Sequence, residues 1–326
     1  MDEAIEDSIA TQAATAIAEQ KWRRLRYIGN RFERARRYRE AWSVLAQSVE
    51  ATSDHAYPIW PGPTPPQPNT TGVLVLPRSR DLGDELRILR FIGSLQQHVN
   101  TVYALVEPRL APLLERSFPG LICRDPSQPS VLKDITHMAA QERLAFWFGA
   151  NSSQLVETFK PLIPPAPATS EPAKGIGISW FSKSKNKTLP AIEDWVDVLK
   201  RIRQPLQSLQ YLEKPAKIRA LRELSGQRIR SAQPIDQMTD IDGLARQIKR
   251  MQVDLTISNT TAHLAVALGV PCVVILLGNG TITKWPNDGD RTRLYPHTSL
   301  IQRGDDDWST TLRAGWRTLK AMVQHP

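Results

Sequence analysis

The sequence predicts an α/β protein with two tandem parallel-sheet domains behind a short helical segment, and three observations carry that expectation. Short Val- and Ile-rich runs alternate with helical apolar periodicity from about Thr71 onward. Two proline-rich stretches, YPIWPGPTPPQPNTTG (Tyr57 to Gly72) and KPLIPPAPATSEPAKG (Lys160 to Gly175), can neither continue a helix nor sit in a central strand. The piece before the first of them shows helical spacing alone. The expected organisation is therefore a helical segment over 1–56, a linker over 57–70, a domain over 71–160, a hinge over 161–174 and a second domain over 175–326.

In the helical segment Ile5, Ile9, Ala13 and Ile17 form one stripe, Leu25, Ile28, Gly29 and Phe32 a second, and Ala41 with Leu45 a third. The order of bulky, glycine, aromatic and small residues resembles one degenerate tetratricopeptide helix pair. A single pair cannot bury both of its faces, so it must pack on the rest of the chain, on a second copy or on a partner. An ordinary helical hairpin capping the next domain fits the same residues.

The first α/β domain opens with TGVLVLP, an apolar run that reads as a buried strand, followed by the loop RSRDLGD and a helix through Leu86, Leu89, Ile92 and Leu95. TVYALVE is the next strand and RLAPLLERS the next helix. The second domain repeats the rhythm: strand GIGISWF, basic loop KSKNKT, helix AIEDWVDVLKRI, strand LQSLQYL, helix IDGLARQIKRM, strand VDLTISN, helix TTAHLAVALG closed by Gly269, and PCVVILLG as last strand. Alternation of this kind gives parallel sheets with right-handed crossovers, and ligands of such sheets bind outside the carboxyl ends of the strands. Trp180 and Trp195 read as core aromatics, and His137 as a structural histidine in an acceptor-side loop.

Composition narrows the classes. At 326 residues, with 41% apolar and 23% charged side chains, a sizeable core can form. The longest apolar run, His263 to Gly278, is broken by Gly269 and Pro271 and falls short of the roughly 18 to 20 residues of a membrane span, so no transmembrane segment is expected. The amino-terminal MDEAIEDSIATQ is acidic where a secretory signal would be basic, which points to the cytoplasm. Only Cys123 and Cys272 are present, which leaves no basis for a disulfide framework or a thiolate metal site. A net charge of +9 points to an anionic partner. Its densest run, Lys21 to Glu40, sets nine Lys and Arg against two Glu and reads first as the solvated face of a helix; nucleic acid is the lesser alternative, and a protein partner at these helices is a third.

Three loops carry chemistry. Ser258, Asn259, Thr260 and Thr261 fall between a strand's carboxyl end and the start of the helix bearing His263, where free N–H groups, hydroxyls and an imidazole could cradle a diphosphate. Asn259 or Thr260 as a plain helix cap and His263 as a helix-face histidine is the alternative. In FSKSKNKT, Lys183, Lys185 and Lys187 alternate with hydroxyls at another strand end of the same domain, which suits a diphosphate as well as it suits a solvated loop. In RDLGDE, Gly83 permits a close approach and Asp84 opens a helix facing the cleft between domains, as general base or as a capping residue. Neither G-x-x-x-x-G-K-[ST] nor G-x-G-x-x-G occurs, so ordinary nucleoside triphosphate and dinucleotide sites lack support.

Taken together, LGDELRILRF, EPRLAPLLERSFPG, GIGISWFSKSKNK, LQSLQYLE, DLTISNTTAHLAVALGVP and RLYPHTSLIQR resemble, in order, the heptosyltransferase-like glycosyltransferases of the GT-B fold, in the subgroup linked to tetratricopeptide repeats. The resemblance implies two Rossmann-like domains and a metal-independent, inverting transfer of a sugar from a nucleotide-sugar, such as a UDP- or ADP-sugar, to a hydroxyl of a protein or glycan acceptor, with no other cofactor. It assigns the diphosphate to Lys183, Lys185, Lys187, Ser258, Asn259, Thr260, Thr261 and His263, and the acceptor side to Arg80 and Gly83, with Asp84 as base. The chain departs from the family where Ser79-Arg80-Asp81-Leu82-Gly83-Asp84 replaces E-Q-G-L-G-D, where Val266 replaces a glycine, and where Trp285 alone remains of an aromatic run. Those departures leave a second reading, a catalytically silent nucleotide-binding or scaffold protein docking a partner through its basic helices.

Overall fold

The computed structural model describes residues 3–54, 57–67, 70–77, 81–128, 132, 134–149, 159–166, 175–184, 187–232, 234–278, 284–288, 291–292, 294–303 and 307–324. The chain divides into two compact units, Met1–Lys160 and Pro161–Pro326.

The first unit starts with α1 (Glu3–Ala18), α2 (Trp22–Arg34) and α3 (Tyr38–Glu50). Leu25, Ile28 and Phe32 of α2 bury against Ile9, Ala13 and Ala16 of α1 and against Ala41 and Val44 of α3. Gly29 permits the close crossing of α2 and α3: a Cβ there would lie 2.6 Å from Leu45 Cγ. The far side of α3 places Ala46 and Val49 on Leu74, Leu76, Leu105, Met138 and Ala140 of the sheet. The helical pair thus buries its second face on the chain's own first sheet.

That sheet contains β1 (Thr70–Leu76), β2 (Val99–Leu105), β3 (Leu121–Arg124) and β4 (His137–Ala140), all parallel, in the order β3-β2-β1-β4. The single helix expected through Leu86 to Leu95 is two, α4 (Leu82–Leu89) and α5 (Ile92–Leu95). The break is a tight turn in which Phe91 N–H bonds to Ile88 O, and Leu89, Phe91, Ile92 and Leu95 are all buried across it. α6 (Ala111–Ser117) follows β2 as expected, and α7 (Gln141–Phe148) follows β4. His137 lies in no loop: it opens β4 paired with Val73, its ring edge-on to Trp60 with centroids 4.9 Å apart.

The second unit runs β5 (Ile176–Ser179), α8 (Ile192–Leu199), β6 (Leu206–Ser208), α9 (Pro215–Ser225), β7 (Ile229–Arg230), α10 (Ile241–Lys249), β8 (Val253–Ile257), α11 (Thr260–Ala267) and β9 (Cys272–Leu276). It closes with β10 (Asn287–Asp288), β11 (Arg291–Thr292), β12 (Thr298–Gln302) and α12 (Trp308–Gln324), so PCVVILLG is not the last strand. Its sheet has the order β10-β11-β12-β9-β8-β5-β6-β7; β10 to β12 pair antiparallel and the remaining pairs are parallel. Counted along the chain, the parallel strands stand in the doubly wound order 3-2-1-4-5-6, with the reversal between β5 and β8. Gly269, at φ +73, follows the last turn of α11 in the left-handed conformation that ends helices. Trp180 and Trp195 lie in the core with Val253, Leu255 and Ile257 of β8, as the sequence predicts. No helix among the described residues is long and apolar enough to cross a membrane.

Candidate functional site

Strand order points to a candidate site. In doubly wound sheets ligands bind outside the carboxyl ends of the strands where the winding reverses, here between the loops that leave β5 and β8. β5 is followed by the lysine loop and β8 by Ser258 to Thr261, so the two loops singled out from the sequence meet at that edge. Lys187 Nζ donates to the carbonyl of Ser258 at 2.7 Å, joining them directly. Lys183 is exposed, and its backbone N–H donates to Tyr211 Oη at 2.8 Å. Lys185 lies outside the described residues.

A buried polar network holds this edge. Asn259 is the cap of α11: its Oδ1 accepts from Ala262 N–H at 3.0 Å while its Nδ2 donates to Ser179 Oγ at 2.8 Å and to Phe181 O at 3.1 Å. Gln210, 2% exposed, accepts from the N–H groups of Trp180 and Phe181, each at 2.8 Å, and from Ser179 Oγ at 3.1 Å. Thr261 Oγ1 donates to Leu209 O at 3.3 Å, which leaves Thr260, half-buried at the first position of α11, as the hydroxyl nearer the surface. Hydrogen bonds of this kind fix the carbonyl and amide dipoles at this edge.

Aromatic packing supports the other side. The rings of His263 and Trp285 stack with centroids 4.2 Å apart and planes 8° from parallel, Tyr295 meets Trp285 edge-on at 6.4 Å, and Trp285 Nε1 donates to Ser258 Oγ at 2.9 Å. His263 is 5% exposed and Trp285 fully buried. Trp285 therefore buttresses the loop after β8 from behind, a role hidden in the sequence because its partners lie 22 and 27 positions away. Gln210 was equally silent: LQSLQYL read as one strand, yet β6 ends at Ser208 and the side chain of Gln210 turns back to bind the loop after β5.

In the first unit, Gly83 and Asp84 occupy the first turn of α4 at the carboxyl end of β1; Arg80 lies outside the described residues. The cap of α4 is Asp81, whose carboxylate accepts from Gly83 N–H at 2.9 Å, and so the capping role open to Asp84 belongs to Asp81 instead. Asp84, 6% exposed, lies 3.7 Å from Arg87 Nη2, and Arg87 Nη1 donates to Glu33 of α2 at 3.1 Å. Although burial opposes its charge, Glu33 and Asp84 hold the Arg87 guanidinium ionised and raise its pKa. Beside it the Glu85 carboxyl, which accepts from Glu107 N–H at 3.0 Å, is pushed up to about 7 by burial. Both cysteines are buried thiols, Cys123 being pushed up to about 12 by burial. Among the described residues no group of three or more His, Cys, Asp or Glu side chains could hold a metal ion.

No protein-family model and no curated protein matches the sequence. Solved structures do. A glycosyl transferase family 9 structure from Veillonella parvula superposes over 80% of this chain and 97% of its own, with a TM-score of 0.52 at 10% identity. In fold, this chain is similar to that transferase. The ADP complex of the E. coli heptosyltransferase WaaC matches 77% of the chain and 99% of its own length, with a TM-score of 0.49 and 11% identity. TibC of enterotoxigenic E. coli, an iron-containing dodecameric glycosyltransferase, gives 0.48 and 12%; this chain covers 75% of its own length and 65% of TibC's.

Proposed function

We propose that the protein is a glycosyltransferase that takes a nucleotide-sugar at the carboxyl edge of the second sheet and passes the sugar to a hydroxyl of a protein or glycan acceptor. The observation that carries this reading is the meeting of Lys187 with the Ser258 carbonyl at the point where the winding reverses, since it sets a cation, the Thr260 hydroxyl and the start of α11 together at one sheet edge. The fold likeness to a family 9 glycosyl transferase supports the same reading. Lys183, Lys185 and Lys187 would stabilise the departing nucleoside diphosphate without a metal, Asp84 would take the acceptor proton, and the displacement would invert the sugar carbon. Arg80 and Gly83 belong to the acceptor side in this account. The helix pair α2 and α3, with glycine at the crossing, would be a single tetratricopeptide-like unit that is packed within this chain and leaves exposed basic side chains such as Arg23, Arg26 and Arg39 to meet a protein partner.

A catalytically silent nucleotide-binding protein is the second reading, and the guanidinium beside Asp84 favours it, because that carboxylate lies 3.7 Å from Arg87 as one partner of a buried ion pair. Asp84→Asn decides between the two. Under the transferase reading it abolishes turnover of a nucleotide-sugar panel in a coupled nucleoside diphosphate release assay and leaves nucleotide affinity unchanged. Undiminished turnover removes Asp84 as base; a wild type that binds nucleotide and releases none supports the silent protein.

A further inference from the structure

At the opposite end of β5 from the proposed nucleotide site lies a second concave surface. Ile176 opens β5, and three residue steps, about 10 Å of strand, separate it from Ser179. Here two adjoining grooves of about 310 and about 230 Å³ run between α12 and the segment after α8, sharing Arg201 and Trp316. The larger is backed by the core residues Ile176, Ile202 and Leu319, presents half-buried Trp316 and Val323 as its apolar floor, and has a rim of Arg201, Arg203 and Lys320. The smaller adds Arg313 and Arg317.

The rim is one-signed. α12, WSTTLRAGWRTLKAMVQ, contains no acidic residue, and Arg313, Arg317 and Lys320 are all exposed along it. Asp197 pairs with Arg201 at 3.0 Å and with Arg313 at 2.9 Å; among the described residues no ion pair engages Arg203, Arg317 or Lys320. Arg201 and Lys320 lie over the Trp316 ring at 5.6 and 5.7 Å from its centroid. The ring holds two cations at the groove's edge. A concave surface suits a chain better than a bilayer, and an apolar floor under a cationic rim suits a chain with both acidic and apolar side chains.

We propose that this groove docks an acidic peptide segment of a partner protein, Asp or Glu side chains meeting Arg203, Arg317 and Lys320 while an apolar side chain rests on Trp316 and Val323. The proposal stands apart from the transferase reading, since none of these residues belongs to the nucleotide site. The probe is a fluorescein-labelled peptide of Glu-Glu-Leu repeats, followed by anisotropy with the full-length protein, against a Gln-Gln-Leu peptide, oligouridylate and phosphatidylglycerol vesicles. The expected result is saturable binding of the acidic peptide that falls about tenfold or more in Arg203→Glu/Lys320→Glu and as salt rises from about 0.05 to 0.3 M. Arg219→Glu on exposed α9 leaves it within about twofold, and circular dichroism and nucleotide affinity are unchanged in both variants. Absence of binding, an equal loss in Arg219→Glu, equal binding of the Gln-Gln-Leu peptide, or tighter binding of RNA or vesicles each overturns the proposal.

Discussion

Lys187 and Ser258 stand 71 positions apart and meet through one hydrogen bond, and the functional account turns on that bond. A charged hydrogen bond from the Lys187 ammonium to a diphosphate oxygen would be worth about 1.5 to 3 kcal/mol, so Lys187→Ala is expected to weaken nucleoside diphosphate binding by about ten- to a hundredfold, read by calorimetry. Glu33 is a second residue with a decisive position. It is buried against Arg87, and Glu33→Gln leaves that guanidinium short of a counter-charge, at a cost of about 3 kcal/mol in denaturant unfolding. Glu85 gives a sign in pH. Burial raises its carboxyl from 4.5 to about 7, so between these values the folded protein holds a proton that the unfolded chain has lost. Stability therefore falls as pH rises through that window, by up to about 3 kcal/mol, and is level above it. Glu85→Gln flattens the profile; a wild-type profile already flat between pH 5 and 7 contradicts the assignment.

At the level of elements, the chain announced those strands and helices whose pattern is local. TGVLVLP and PCVVILLG are apolar along their length because both faces of a parallel strand are covered, and they became β1 and β9; VDLTISN alternates apolar with polar residues and became β8 with Asp254 and Thr256 buried as well. Trp285 and Gln210 were opaque, since each acts through partners distant in sequence: a buried indole donating to Ser258 and a buried amide bridging two strand ends carry no periodic mark. α9 carries local start and stop signals, with Pro215 at its first position and Gly226 left-handed after its end. Short β7, β10 and β11, each of two residues, carry too little sequence to signal at all. The Trp285 buttress yields an element-scale expectation. Trp285→Ala opens a cavity behind the loop after β8 and costs about 3 to 5 kcal/mol, with the amide signals of Ser258 to Thr261 losing hydrogen-exchange protection first.

For the molecule as a whole, the helical segment is no appendage to the first sheet: α3 covers Leu74, Leu76 and Met138, and Glu50 ties it to Arg143 at 2.7 Å. A protein lacking residues before Tyr57 exposes that sheet face and is expected to aggregate on expression. The doubly wound order of the second unit and its reversal between β5 and β8 put the proposed nucleoside diphosphate site where the lysine loop meets Ser258 to Thr261. Calorimetric titration of UDP, ADP and GDP into the wild type and into Lys187→Ala examines that site. One nucleotide is expected to bind at a single site, at least about tenfold more weakly in the variant. Equal affinity in both proteins, or no binding of any nucleotide by the wild type, contradicts that placement.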